Sequence, residues 1–164
     1  MADRELTGIL LVGGASTRFG SPKELADFAG ETLGDRAWRL LEKVCDERVA
    51  VGRGGLKDPG TGPVAAIAAG LRAASHEVAI VIPVDMPLLT VDALHALADA
   101  CRDAAVAQGG PLPCALSRRA LPAFETGERR LGAVLETLDT ARVELAPSLL
   151  ANVNTPADLS KLAP

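Results

Sequence analysis

The chain reads as a single-domain, Rossmann-like three-layer α/β sandwich on a mostly parallel sheet, and three observations lead there. Apolar runs of strand length alternate with helix-length stretches, the order that lays helices on both faces of a parallel sheet. Glu77-Val-Ala-Ile-Val-Ile-Pro-Val84 is almost unbroken in β-branched residues, as expected of a strand covered on both faces. At 164 residues, 48% of them hydrophobic, the chain fits one domain over 1–164 with core on either side of the sheet.

Taken in order, the first strand covers 7–12 and runs into a glycine-rich loop ending at Lys23. Leu33, Ala37, Leu40, Leu41 and Val44 form the apolar stripe of a helix over 33–44. A short strand at 48–51 and the turn-rich Lys57-Asp-Pro-Gly-Thr-Gly-Pro63 precede a small-residue helix at 64–74, suited to close packing on the sheet. The strand 77–84 ends at Asp85, and Thr90 is the N-cap candidate of a helix carrying Asp92 and Asp99. Beyond Cys101 the pattern predicts strands at 104–107, 112–116 and 142–145, a helix at 131–138, and a closing helix at 156–162 with Thr155 as N-cap.

Composition removes several functions. Three Phe, one Trp and no Tyr leave the core to Ala, Val, Leu and Ile and argue against stacking on nucleic acid. A formal charge of -4 gives no bulk attraction to polyanions, so any phosphate affinity is local. Cys45, Cys101 and Cys114 form no C-x-x-C and are odd in number, which reads as reduced thiols of a cytoplasmic protein. No apolar run reaches the roughly 18 residues of a membrane helix, and the start lacks a signal-peptide core, so no membrane partner is expected. His76 and His95 lack partners at ligand spacing, and no serine sits in a G-x-S-x-G elbow.

What remains is the loop Gly13-Gly-Ala-Ser-Thr-Arg-Phe-Gly-Ser-Pro-Lys23 at the tip of the first strand. Glycines allow backbone N–H groups to converge on an anion. Arg18 adds a two-pronged donor and Lys23 a movable point charge. The loop is not a Walker A, because Ser21-Pro22 separate Gly20 from Lys23, and not a dinucleotide fingerprint, because Gly13 and Gly14 are adjacent. Asp85 closes the strand at 77–84 on the edge where open α/β sheets bind ligands, and suits Mg²⁺ held jointly with phosphate oxygens; a turn or helix-capping Asp is the plainer alternative. Asn152-Val-Asn-Thr-Pro156 sets two neutral amides where they can orient a phosphate by hydrogen bonds, or can form an Asx turn before a helix.

The spacing GGxSxRxGxxK, followed by Leu25, Gly30 and Leu33, resembles the first motif of the small nucleotidyltransferases, in particular the molybdenum cofactor guanylyltransferases, or MobA-like proteins. Val81-Ile-Pro-Val-Asp-Met-Pro87 looks like that family's metal motif, Gly62-Pro-Val-Ala-Ala66 like its GPLAG element, and Asn152-Val-Asn-Thr-Pro156 like its NVNTP signature. The resemblance implies transfer of GMP from GTP to the phosphate of molybdopterin, with pyrophosphate released. It implies Leu11, Val12, Gly13 and Gly14 against the nucleotide, Arg18 and Lys23 on the triphosphate, Asp85 on Mg²⁺, and Asn152 and Asn154 positioning the metal or acceptor. Contact with other proteins of cofactor assembly or with molybdoenzymes also follows from it; oligomeric state does not.

Leu112-Pro-Cys-Ala-Leu-Ser-Arg-Arg119 and Gly127-Glu-Arg-Arg130 resemble segments on the acceptor side, where Arg pairs suit an anionic pterin phosphate, although solvated surface arginines explain them as well. The chain departs from the family at Val12, Phe19 and Pro22, and its 51–62 segment is short, with Gly52 where relatives can place a nucleotide-contacting Asn. Asp58 is the candidate reader of the guanine edge. Two alternatives keep the fold: a cytidylyltransferase or sugar- or alditol-phosphate nucleotidyltransferase, and a non-catalytic nucleotide-binding member.

Overall fold

A computed structural model describes residues 4–13, 22–52 and 54–162. Its elements in chain order are β1 (Leu6–Val12), β2 (Asp27–Phe28), β3 (Glu31–Thr32), α1 (Leu33–Val44), β4 (Glu47–Gly52), α2 (Pro63–Ala73), β5 (Val78–Pro83), α3 (Val91–Ala100), β6 (Ala104–Ala107), β7 (Cys114–Ser117), α4 (Leu131–Glu136), β8 (Thr140–Val143) and α5 (Pro156–Leu162). Short 3₁₀ helices occupy Lys23–Leu25, Arg118–Glu125 and Pro147–Leu150.

Six strands form one sheet in the order β4-β1-β5-β7-β6-β8. The β1–β4, β1–β5 and β6–β8 pairs are parallel, while β7 runs against both neighbours. Period-two alternation splits the core. Leu10, Val12, Ile80 and Ile82 face α1 and α3, where Leu41, Leu94 and Leu97 are buried with them. Ile9, Ala79 and Val81 face α2 and α4, with Ile67, Leu71 and Val134. The close approach of α2 depends on Gly70, whose Cβ would meet Ile9 Cγ2 at 2.7 Å. A third, smaller cluster of Phe28, Leu33 and Val153, with Leu88 and Leu159 packed against it, joins the β2–β3 hairpin to the chain before α5.

Several boundaries differ from the sequence expectation for identifiable reasons. The strand expected at 112–116 starts at Cys114, since Pro113 has no N–H to give a ladder. The strand expected at 142–145 lies at Thr140–Val143, because the Leu145 backbone is bonded instead to the side chain of Gln108. The helix expected to reach 138 ends at Glu136, where Thr137 N–H and hydroxyl both donate to the Val134 carbonyl. The β2–β3 hairpin was not expected; its turn holds Ala29 and Gly30 at φ 52° and 89°, the type I′ pattern. Thr32, Thr90 and Thr155 each cap a helix by accepting from a backbone N–H three residues on.

Candidate functional site

The carboxyl ends of β4, β1 and β5 meet at one edge, with Val12 opposite Gly52 and Leu11 opposite Pro83. A cleft of about 720 Å³ opens there. Leu11, Val12 and Gly13 line its middle, Pro83, Val84 and Asp85 its β5 side, and Asp58, Gly60 and Gly62 the side leading into α2. The amino end of α2, with Pro63 in its first turn, opens onto this space. It presents the positive end of the helix dipole to whatever anion enters.

Lys23 reaches the same cleft from the 3₁₀ turn Lys23–Leu25. Its Nζ lies 3.5 Å from Asp85 Oδ2, with 21% and 24% of the two side chains exposed. Burial raises the Asp85 pKa above the usual aspartate value, and the Lys23 ammonium lowers it part of the way back. Three ties fix this meeting. The 3₁₀ turn packs on the start of α1, where a Cβ on Gly34 would come within 2.9 Å of the Glu24 carbonyl. Arg36 of α1 donates through Nε to the Pro87 carbonyl at 2.7 Å, holding the loop after Asp85. The Asp85 carbonyl accepts from Val153 N–H at 2.7 Å. Loop, acid and the 152–154 segment are thus bound into one edge by the Phe28–Leu33–Val153 cluster.

On the opposite lip the shortened segment is a tight turn. Gly52 N–H donates to the Leu56 carbonyl and Leu56 N–H to the Ala50 carbonyl, both at 2.8 Å. Gly52 sits at φ 118°, and a Cβ there would lie 1.6 Å from the Val12 carbonyl oxygen. A side chain at this position would collide with the Val12 carbonyl, which accounts for the glycine here. Asp58 lines the cleft, and its Oδ1 accepts from Gly60 N–H at 2.8 Å in an Asx turn.

A second cleft of about 490 Å³ lies on the other side of Asp85. Pro83, Asp85 and Met86 form its inner wall; Gln108 to Leu112, and Pro147, Leu150 and Asn152, form the rest. Apart from Asp85 every one of these side chains is neutral. Asn152 is one of the residues that line this second cleft. Asn154 does not line either cleft: its N–H, with that of Thr155, donates to Asp158 Oδ2 at 2.9 and 3.0 Å. These bonds, the Asn154 N–H foremost, lower the Asp158 pKa.

The arginine pairs are a correction. Ser117 pairs with Val78, at the opposite end of β5 from Asp85, so Arg118 and Arg119 leave the sheet on the far edge, where Arg119 binds Asp103 at 3.1 Å. Arg130 is paired with Glu128 at 3.0 Å, and the Arg129 carbonyl lies beside Gly62, at the first cleft and not the second. Arg18 and Gly14 lie outside the described residues. The cysteines are poor nucleophiles: burial pushes Cys45 up to about 12 and Cys101 up to about 11, and raises Cys114 as well. No helix among the described residues is long and apolar enough to cross a membrane.

Residues 8–143 match the MobA-like NTP transferase domain. The chain belongs to that family. It is 33% identical over 182 residues to a probable molybdenum cofactor guanylyltransferase of Deinococcus radiodurans, covering 96% of this chain and 94% of the relative. It is 32% identical to a molybdenum cofactor guanylyltransferase of Xanthomonas euvesicatoria pv. vesicatoria, over 97% and 95% of the two chains. The first alignment is longer than the 164 residues of this chain, so it contains gaps opposite segments that this family member lacks. The fold matches the crystal structure of molybdopterin-guanine dinucleotide biosynthesis protein A from Archaeoglobus fulgidus with a TM-score of 0.78 at 24% identity, covering 95% and 96% of the chains.

No three His, Cys, Asp or Glu side chains gather to hold a metal by themselves among the described residues. The donor set fits a hard cation of another kind. Mg²⁺ takes one or two carboxylates and completes its shell with phosphate oxygens and water, and Asp85 is the carboxylate common to both clefts.

Proposed function

We propose that this nucleotidyltransferase moves GMP from GTP to the phosphate of molybdopterin and releases pyrophosphate. The observation that carries the reading is the 3.5 Å approach of Lys23 Nζ to Asp85 Oδ2 between two clefts. It joins a cation suited to polyphosphate and an anion suited to its metal at one point, with room for a nucleotide on one side and an acceptor on the other. The names of the relatives from Deinococcus and Xanthomonas support the choice of substrates.

In this reading an oxygen of the acceptor phosphate attacks the α-phosphorus of GTP, a new P–O bond forms, and the bond from α-phosphorus to the β-phosphate oxygen breaks. The acceptor is already a nucleophile, so the chain needs to align and to neutralise rather than to supply a base. Backbone groups of Leu11, Val12 and Gly13 would hold the nucleotide, and Lys23 the triphosphate and departing pyrophosphate, with Arg18 and Gly14 assigned to the same anion. Asp58, one oxygen held by Gly60 N–H, would accept from the N–H edge of guanine with the other. Asp85 would hold Mg²⁺, which when bound offsets phosphate charge, and Asn152 would orient the acceptor; Asn154 keeps a supporting place in the same segment. One domain over 1–164 acting in the cytoplasm completes the proposal.

The test is pyrophosphate release with Mg²⁺ and molybdopterin, comparing GTP, CTP and ATP. Release with GTP and little with the others is expected. A preference for CTP would move the assignment to a cytidylyltransferase, and nucleotide binding without release would make the chain a non-catalytic member.

A further inference from the structure

The outer wall of the second cleft is made of two stretches that the sheet does not join. β6 and β8 pair only as far as Ala107 and Val143. Past that point the side chain of Gln108 takes the place of the ladder: its Oε1 accepts from Leu145 N–H at 2.9 Å, and its Nε2 donates to the Leu145 carbonyl. Leu145 is buried against Ala93 and Ala107, so this joint has a fixed base. The stretch that follows carries Pro147, Leu150 and Asn152 to the cleft. Its own backbone bonds are local, Leu149 N–H to Ala146 and Ala151 N–H to Ser148, until Val153 N–H reaches the Asp85 carbonyl. Among the described residues the wall is therefore hydrogen-bonded to the rest of the fold at two points, Gln108 at one end and Asp85 at the other, with Leu149 and Leu150 packed on the core between them.

We infer that Gln108 is a positioning residue for the acceptor, acting through Leu145 to fix the wall that carries Pro147, Leu150 and Asn152. The inference rests on the proposed reading of the second cleft as the acceptor side. The amide suits the task because it offers one acceptor and one donor in a plane, matching the N–H and C=O of a single residue. Glutamate keeps the acceptor but turns a second carboxylate oxygen on the Leu145 carbonyl. Methionine keeps the volume and removes both bonds.

Two measurements on the full chain test this. Hydrogen–deuterium exchange should show the Leu145 amide and the 146–152 segment exchanging about tenfold faster in Gln108→Met, as loss of hydrogen bonds of ordinary strength implies, with β1 and β5 unchanged. Unaltered protection from 145 to 152 would refute the tie. In initial-rate assays with GTP, Mg²⁺ and molybdopterin, Gln108→Met should raise the acceptor KM about tenfold while kcat and the GTP KM stay within about twofold. Gln108→Glu should fall between it and the parent chain. A joint fall of kcat with both KM values altered would show a general loss of structure and overturn the positioning role. Failure of the proposed function is visible separately, as absence of pyrophosphate release by the unsubstituted chain.

Discussion

The first cleft lies over three parallel strands and draws its chemistry from glycine-rich and charged sequence, with Lys23, Asp58 and Asp85 at its rim. The second lies where β7 reverses the sheet and, Asp85 aside, is walled by neutral side chains from three distant segments. The contrast separates two tasks. On the proposed reading a triphosphate would be gripped by charge and dipole, whereas an acceptor beside it would have only to be aimed.

The largest effect that could break this division lies at the shared boundary. Lys23→Ala and Asp85→Ala should each lower the rate of pyrophosphate release by at least about a hundredfold, as loss of a principal electrostatic contact does. A near-normal rate in either would remove the boundary from the chemistry. Gly52→Ala comes next: its Cβ would collide with the Val12 carbonyl at a positive φ, and urea denaturation should report a loss of at least about 2 kcal/mol. Asp58→Asn preserves the Asx turn but presents an N–H₂ to a donor edge. It should raise the GTP KM about tenfold and narrow the preference for GTP over ATP, with the acceptor KM unmoved.

Acid should also act on the boundary. Burial sets the folded pKa of Asp85 above its ordinary value, so the ionised form that the proposed metal role requires is lost as pH falls through that raised value. A carboxyl titration of the metal-free chain should therefore place Asp85 above pH 3.8, the ordinary value for Asp, and added Mg²⁺ should pull it down again. For stability the sign is opposite: the buried acid favours the fold below its unfolded pKa, and this contribution fades as pH rises through the folded one. The smallest effect is at the cap of α5, where Thr155→Ala should cost about 1 kcal/mol in thermal unfolding, with little change in either substrate's KM.

The same contrast governs what was legible in the sequence. The strand–glycine loop–Lys23 order, the β-branched run ending in Asp85, and the caps at Thr90 and Thr155 are local signals, and the structure brings Lys23 and Asp85 together as the motifs suggested. One motif named Asn152 and Asn154 together; Asn152 lines the second cleft, whereas the backbone of Asn154 belongs to a helix cap, a difference that only the folded chain reveals. Arg118 and Arg119 were misplaced because the direction of β7 is a matter of pairing, and nothing in Cys114-Ala-Leu-Ser117 announces it. Gln108 carried no signal at all, since its partner lies 37 residues away on a backbone.

The reversed strand has a consequence for traffic through the molecule. Because β7 enters the sheet at the edge where β5 leaves it, Asp85 stands between two openings instead of at the bottom of one. On the proposed reading each substrate would have its own doorway, neither would block the other's departure, and no covalent intermediate would be needed to hand the nucleotidyl group across. Intersecting double-reciprocal lines, with pyrophosphate able to escape while the dinucleotide product is still seated, are the kinetic signature of such a two-sided partition.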